Sequence, residues 1–206
     1  MNRQTIKIKP GSAGVPSDQR LAAWLVQPMA YTPVTSNQLT LVSFVLAAAA
    51  AWTLSRGDAF GLGAVLFMLA VFVDHTDGEL ARQTGRTSRL GHNLDYLVGA
   101  ANYTMMYLGA GIGLTVAGYG EAMLYLGVAA ALSNPAVMSV RLAIERRRGE
   151  EAVAHPYFAG FEIEDFVYLI GPFAWVGVFD WFFLAFGLGA IGYLGWQSWE
   201  LFGRCR

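Results

Sequence analysis

Cysteine, histidine and charge are all scarce in this chain of 206 residues. Cys205 is the single cysteine and stands next to the C-terminus, so no disulfide can close within the chain. The three histidines, His75, His92 and His155, are scattered, which excludes a clustered zinc site. Charged residues make up 14%, against roughly a quarter in a soluble domain. No nucleic-acid partner is expected. The first twenty residues are polar and lack an apolar core, which excludes a cleavable signal peptide. There is no low-complexity tract, linker or internal repeat, so residues 1–206 are expected to form one domain.

What the chain has instead is apolar length. Hydrophobic residues reach 55%, mean hydropathy is +0.41, and 24 glycines supply small-residue helix contacts. An all-α integral membrane protein follows. A spanning helix needs about 20 largely apolar residues. Six such segments are expected, at roughly Asn37–Leu54, Ala59–Val73, Leu94–Val116, Ala122–Ile144, Phe166–Phe179 and Trp181–Phe202. The second should run on to about Arg82. Asn134-Pro135 should kink the fourth, because proline removes a backbone hydrogen bond. Residues 1–36 read as an N-terminal segment ahead of a six-helix bundle at 37–206. Within that segment, Leu21–Tyr31 is apolar but too short to cross, and it is expected to lie in the interface, ending near Pro28 or Pro33. With both termini cytosolic, every lysine and arginine except Arg56 falls on the inside, as the positive-inside rule requires.

Between Asp74 and Gly99 the chain reads DHTDGELARQTGRTSRLGHNLDYLVG. Asp74 and Asp77 are three residues apart and share a helix face with Gly78 and Ala81; Asp95 begins the third span. Unpaired carboxylates at the ends of apolar segments are costly, so a cation is expected among them. If spans two and three pack as neighbours, the three acids converge. Hard oxygen ligands suit Mg²⁺ or Mn²⁺, one or two ions, completed by phosphate oxygens and water. The bland alternative for each acid is helix capping at a membrane surface.

The stretch resembles the signature of the CDP-alcohol phosphotransferase family, D-x2-D-G-x2-A-R-x8-G-x3-D-x3-D. Asp74, Asp77, Gly78, Ala81, Arg82, Gly91 and Asp95 stand at the required spacings. The six-span layout and the interfacial segment agree with that family. The resemblance implies that Asp74, Asp77 and Asp95 bind the metal, and that Gly78, Ala81, Arg82, Ser88 and Gly91 meet the nucleotide-lipid. Asn37 and Thr40, in SNQLT, resemble a further contact of this kind. It also implies a reaction in which the hydroxyl of a polar alcohol displaces CMP from a CDP-linked lipid, by analogy CDP-diacylglycerol, in phospholipid biosynthesis. The site would face the cytosol of a bacterial or archaeal cytoplasmic membrane, and the protein would be a homodimer.

One position departs from the pattern. The family's last aspartate, its proposed base, would fall at 99, where this chain has Gly99. His92 and Asn102 lie on the Asp95 face, and asparagine has no basic function. That leaves His92 as a weak candidate base, with Glu79, His75 and His155 as others. A catalytically degenerate binder of CDP-lipid, or of a partner, is the competing reading. A transporter would need polar residues along several mid-membrane faces, whereas the charge gathers at one end.

Several residues carry two readings. Arg82 serves either the charge rule or a phosphate. Ser88 and Asn37 are equally N-caps. Arg141 either holds the phosphate of a phosphorylated acceptor or anchors the helix end. Glu162, Glu164 and Asp165 read first as N-terminal helix acids. The aromatic run WFFLAFG at 181–187 reads as lipid-facing bulk. The glycine-rich stretch 99–113 offers either a dimer face or contacts within one subunit.

Overall fold

The computed structural model describes residues 24, 26–85, 89–148, 157–158 and 161–203. They form five long or medium helices and one short one: α1 Ser36–Ser55, α2 Phe60–Thr84, α3 Arg89–Val116, α4 Ala122–Arg148, α5 Ile170–Trp175 and α6 Phe179–Gly203. A two-stranded ribbon, Tyr157–Phe158 against Phe161–Glu162, and a 3-10 turn Ile163–Leu169 precede α5.

Helix α1 begins where the sequence signals it. The Gln38 side chain accepts from the Thr35 N–H at 3.0 Å, one half of a capping box. Ahead of it, a helical turn holds the chain at Val26–Met29, with Val26 buried and Trp24 and Tyr31 exposed; the turn ends before Pro33. Helix α2 stops at Gly85, whose φ of +65° suits glycine and reverses the chain toward α3.

Four helices are long and apolar enough to cross a membrane: α1, α2, α4 and α6. Two of the six expected spans differ. Helix α3 is the longest, with 28 residues, but Asn102, Thr104 and several glycines dilute its hydropathy because it lies inside the bundle. The segment expected as a single span at Phe166–Phe179 is instead the 3-10 turn followed by six-residue α5. Gly177, at φ +80°, separates α5 from α6.

Helix α1 packs along both α2 and α3, while α2 and α3 touch each other only sparingly; α3 packs on α4, α4 on α6, and α5 on α2. The neighbour relation expected of spans two and three is therefore mediated by α1. Close approach depends on missing side chains. A Cβ on Gly113 would strike the Leu54 carbonyl, and one on Gly111 would meet the Met123 carbonyl of α4 at 2.8 Å. These glycines of the 99–113 stretch serve contacts within one subunit, which removes them from the expected dimer face.

Pro135 does not break α4. It leaves the Ala131 carbonyl without its helical donor, and the Thr104 hydroxyl of α3 supplies one at 3.2 Å. Asn134 also donates to the Ala100 carbonyl at 3.1 Å. The core is aromatic at the α5–α6 end, where Phe60, Phe179, Phe182 and Phe186 stack in series. Phe182 and Phe183 are buried, and only Trp181 of that trio faces outward, so the run 181–187 is not lipid-facing bulk. Its apolar residues recur at helical spacing, and one face turns inward.

Candidate metal centre

Two helices bring matched pairs of residues together. On α1, Thr40 and Ser43 are three apart; on α2, Asp74 and Asp77 are also three apart, and the helices run antiparallel. The pairs therefore meet in reverse order. Thr40 Oγ1 donates to Asp77 Oδ2 at 2.5 Å, and Ser43 Oγ donates to Asp74 Oδ1 at 3.1 Å. Both hydroxyls sit in an apolar helix, and both are buried. A hydroxyl bonded to a carboxylate is worth more than a neutral hydrogen bond, about 1.5–3 kcal/mol, and part of the acids' burial is offset this way.

Helix α3 contributes Asp95, and one oxygen from each of Asp74, Asp77 and Asp95 lies within 4.8 Å of the others. Asp77 is only 2% exposed. Like charges at this separation repel by roughly 3 kcal/mol per pair at an effective dielectric of about 20. The hydroxyls do not cancel that. A divalent cation would, and three carboxylate oxygens are the hard donors that Mg²⁺ and Mn²⁺ prefer. The residues present fit such an ion.

Two openings border the acids. At Gly99, buried on α3, Asp74 Oδ2 stands 3.8 Å from a Cβ position and is, among the described residues, the one atom within 4 Å beyond the local helix. At Gly78 the Arg82 guanidinium lies over the bare backbone, with Nη1 3.5 Å from the Cβ position. Arg82 is exposed and bridges to Glu79 at 2.9 Å, one turn from the acids. Ala81 is half-buried on the same helix and Gly91 half-buried at the start of α3. Asn37 is exposed at the first turn of α1. Ser88 and His155 lie outside the described residues.

His92 and Arg141 have polar partners outside the trio. His92 Nε2 lies 3.5 Å from Glu145 Oε1, and Tyr96 donates to the other Glu145 oxygen at 3.1 Å. Arg141, one turn earlier on α4 and 8% exposed, donates to the Tyr193 hydroxyl at 2.8 Å; Gln197 donates to the same oxygen at 3.0 Å. Arg141, Tyr193 and Asn134 line a cavity of about 390 Å³ walled mostly by aromatic and aliphatic side chains such as Tyr107, Met138, Phe173 and Phe186. Sequence reasoning passed over Ser43, Glu145, Tyr193 and Gln197. A signal existed for Ser43: two hydroxyls at i and i+3 in an apolar span mirror the i, i+3 spacing of the acids.

A sequence model described as CDP-alcohol phosphatidyltransferase matches residues 33–196. Among curated proteins, the chain is 40% identical over 90 residues to a bifunctional IPC transferase and DIPP synthase of Rubrobacter xylanophilus, covering 42% of this chain and 20% of that protein. It is 40% identical over 65 residues to a protein of the same description from Thermococcus kodakarensis, covering 32% and 15%. It is 29% identical over 80 residues to an archaetidylinositol phosphate synthase of Pyrococcus horikoshii, covering 39% and 42%. The matched stretches span less than half the length of each of these relatives.

Proposed function

Since the chain belongs to the CDP-alcohol phosphatidyltransferase family, we propose that it transfers a substituted phosphate, a phosphatidyl-type group, from a CDP-linked lipid to a polar alcohol and releases CMP. The observation that carries this reading is the convergence of Asp74, Asp77 and Asp95 within 4.8 Å at one end of the bundle. Mg²⁺ or Mn²⁺ held there would bind the donor's diphosphate and stabilise charge on the departing CMP. The chain's own residues do the rest. Thr40 and Ser43 hold the two α2 carboxylates in place. Arg82, whose guanidinium lies over the Gly78 backbone, would meet a donor phosphate. The bare backbone at Gly78, half-buried, lets substrate approach the helix closely.

For the acceptor, two observations point the same way. Arg141 is a buried cation lining a largely apolar cavity, and one relative is a synthase of archaetidylinositol phosphate. A phosphorylated polyol is the proposed acceptor, with Arg141 on its phosphate. CDP-diacylglycerol or its archaeal ether counterpart is the proposed donor.

Six crossings with both termini in the cytosol complete the reading. Helix α3 has the length of a span. The 3-10 turn rises about 2.0 Å per residue against ~1.5 Å in an α-helix, so Ile163–Trp175 covers roughly 23 Å. The acids and Arg141 gather at the end where the basic residues cluster, whereas Arg56 pairs with Asp58 at 3.2 Å at the other end. A homodimer in the cytoplasmic membrane is the proposed assembly.

The test is direct. Purified protein with Mn²⁺, CDP-diacylglycerol and a panel of polar alcohols and their phosphates should release CMP and form a new lipid detectable by mass spectrometry. Gly99 favours a second reading, a binder without turnover: CDP-lipid binding that needs the three acids, with no CMP release for any acceptor, would establish it.

A further inference from the structure

Asn102 is 2% exposed, and its Oδ1 has no hydrogen-bond partner among the described residues. Buried amide oxygens are rarely left this way. The orientation of the amide follows from its neighbour. Ser43 has one proton, and two acceptors face it, the Asp74 carboxylate at 3.1 Å and the Thr40 carbonyl at 2.8 Å. Ser43 must therefore accept from Asn102, so Nδ2 points to Ser43, at 3.3 Å, and Oδ1 points elsewhere.

Asn102 stands three residues beyond Gly99 and seven beyond Asp95, on the same face of α3. A side chain at 99 would meet Asp74 Oδ2 at 3.8 Å and no other atom of the described residues within 4 Å, beyond its own stretch of helix. An octahedral Mg²⁺ or Mn²⁺ needs about six oxygens, and three carboxylates supply only part of them. Outer oxygens that hold the bound waters are as much part of such a centre as the ligands themselves.

We propose that Asn102 Oδ1 is a neutral oxygen of this metal centre, joined to the cation on Asp74 through one water seated in the space over Gly99. The water donates one proton to Oδ1 and offers its oxygen to the cation. Asn102 is thus a positioning residue that completes the shell without adding charge, and the proposal rests on the reading of the aspartate trio as a metal site.

The experiment is Mn²⁺ titration of the purified full chain, followed by electron paramagnetic resonance and by thermal melting, with Mn²⁺ alone and with CDP. N102A is expected to weaken Mn²⁺ binding on the order of 10-fold, the usual effect of losing an outer-shell partner. N102D should tighten binding, and it keeps the test open if N102A does not fold. S43A removes the Nδ2 partner together with the hydrogen bond to Asp74 but leaves Oδ1, so N102A should still weaken Mn²⁺ binding in an S43A background. In a G99D background, where a carboxylate fills the space, N102A should have little further effect. If N102A and N102D bind Mn²⁺ as the parent does while D74N abolishes binding, the proposal is wrong and the metal centre stands. If N102A has no effect in an S43A background, Asn102 acts only through Ser43 and the proposal is again overturned. If D74N leaves Mn²⁺ binding unchanged, the metal centre itself fails and the proposal goes with it.

Discussion

Gly99 faces Asp74: the carboxylate Oδ2 stands 3.8 Å from the point where a side chain at 99 would begin, and among the described residues no other atom beyond the local helix comes within 4 Å. The position is sterically open and electrostatically committed. A carboxylate introduced there has room, and it lands beside an existing one. G99D is therefore expected to raise CMP release by about 10²-fold, the lower end of what a positioned general base contributes. The same variant should melt at lower temperature in chelator and regain stability with Mn²⁺, because the added charge needs the cation. An unchanged rate would show that the missing carboxylate was not limiting.

The acids should report on metal through stability as well as turnover. A ligand that binds only the folded state stabilises it in proportion to ligand excess over Kd. Mn²⁺ should raise the melting temperature of the parent, and D74N, D77N and D95N should each abolish most of that rise. CMP release should fall at least about 100-fold in each, consistent with loss of electrostatic stabilisation worth several kcal/mol. A variant that keeps the full Mn²⁺-dependent shift would remove its residue from the centre.

Thr40 is expected to matter more than its place in an apolar helix implies. T40V removes the hydroxyl that donates to Asp77 at 2.5 Å and leaves a buried carboxylate oxygen unpaired. Destabilisation of about 1.5–3 kcal/mol is expected in chelator, with T40S restoring most of it. Equal stability of T40V and the parent would show that water replaces the hydroxyl.

The Thr104 hydroxyl and Pro135 form a coupled pair across α3 and α4. T104V should cost about 1 kcal/mol, since the Ala131 carbonyl then has neither helix nor side-chain donor. In a P135A background, where the helix supplies its own donor, T104V should cost measurably less. A double-mutant cycle on thermal or denaturant unfolding reads the coupling, and strict additivity would refute the pairing.

The aspartate trio was legible because helix geometry and the family signature both fix its spacing. Asp74 and Asp77 share a face by helix geometry alone, and Asp95 opens the next apolar segment at the same end. The helices α1, α2, α4 and α6 were legible from apolar length, since a bilayer demands about 20 such residues. The segment 166–179 was not. Its composition is that of a span, but Gly177 and the 3-10 turn divide it, and hydropathy is blind to which backbone geometry carries apolar residues across. The aromatic run at 181–187 was misjudged for a related reason. Apolarity does not say which face meets lipid and which meets protein, because both are equally dry.

Spacing along the chain by itself determined which side chains travel together: the acids of α2 on one face, the hydroxyls of α1 on another, and Asp95 at the start of α3. Only the tertiary structure decided which of these faces meet. It set α1 rather than α3 against most of α2, paired Thr40 with Asp77 and Ser43 with Asp74, and left Gly99 open toward Asp74. The physical reason is that helix periodicity is a property of one segment. Antiparallel register between segments depends on how close their backbones come, and here glycines far apart in the chain set that distance.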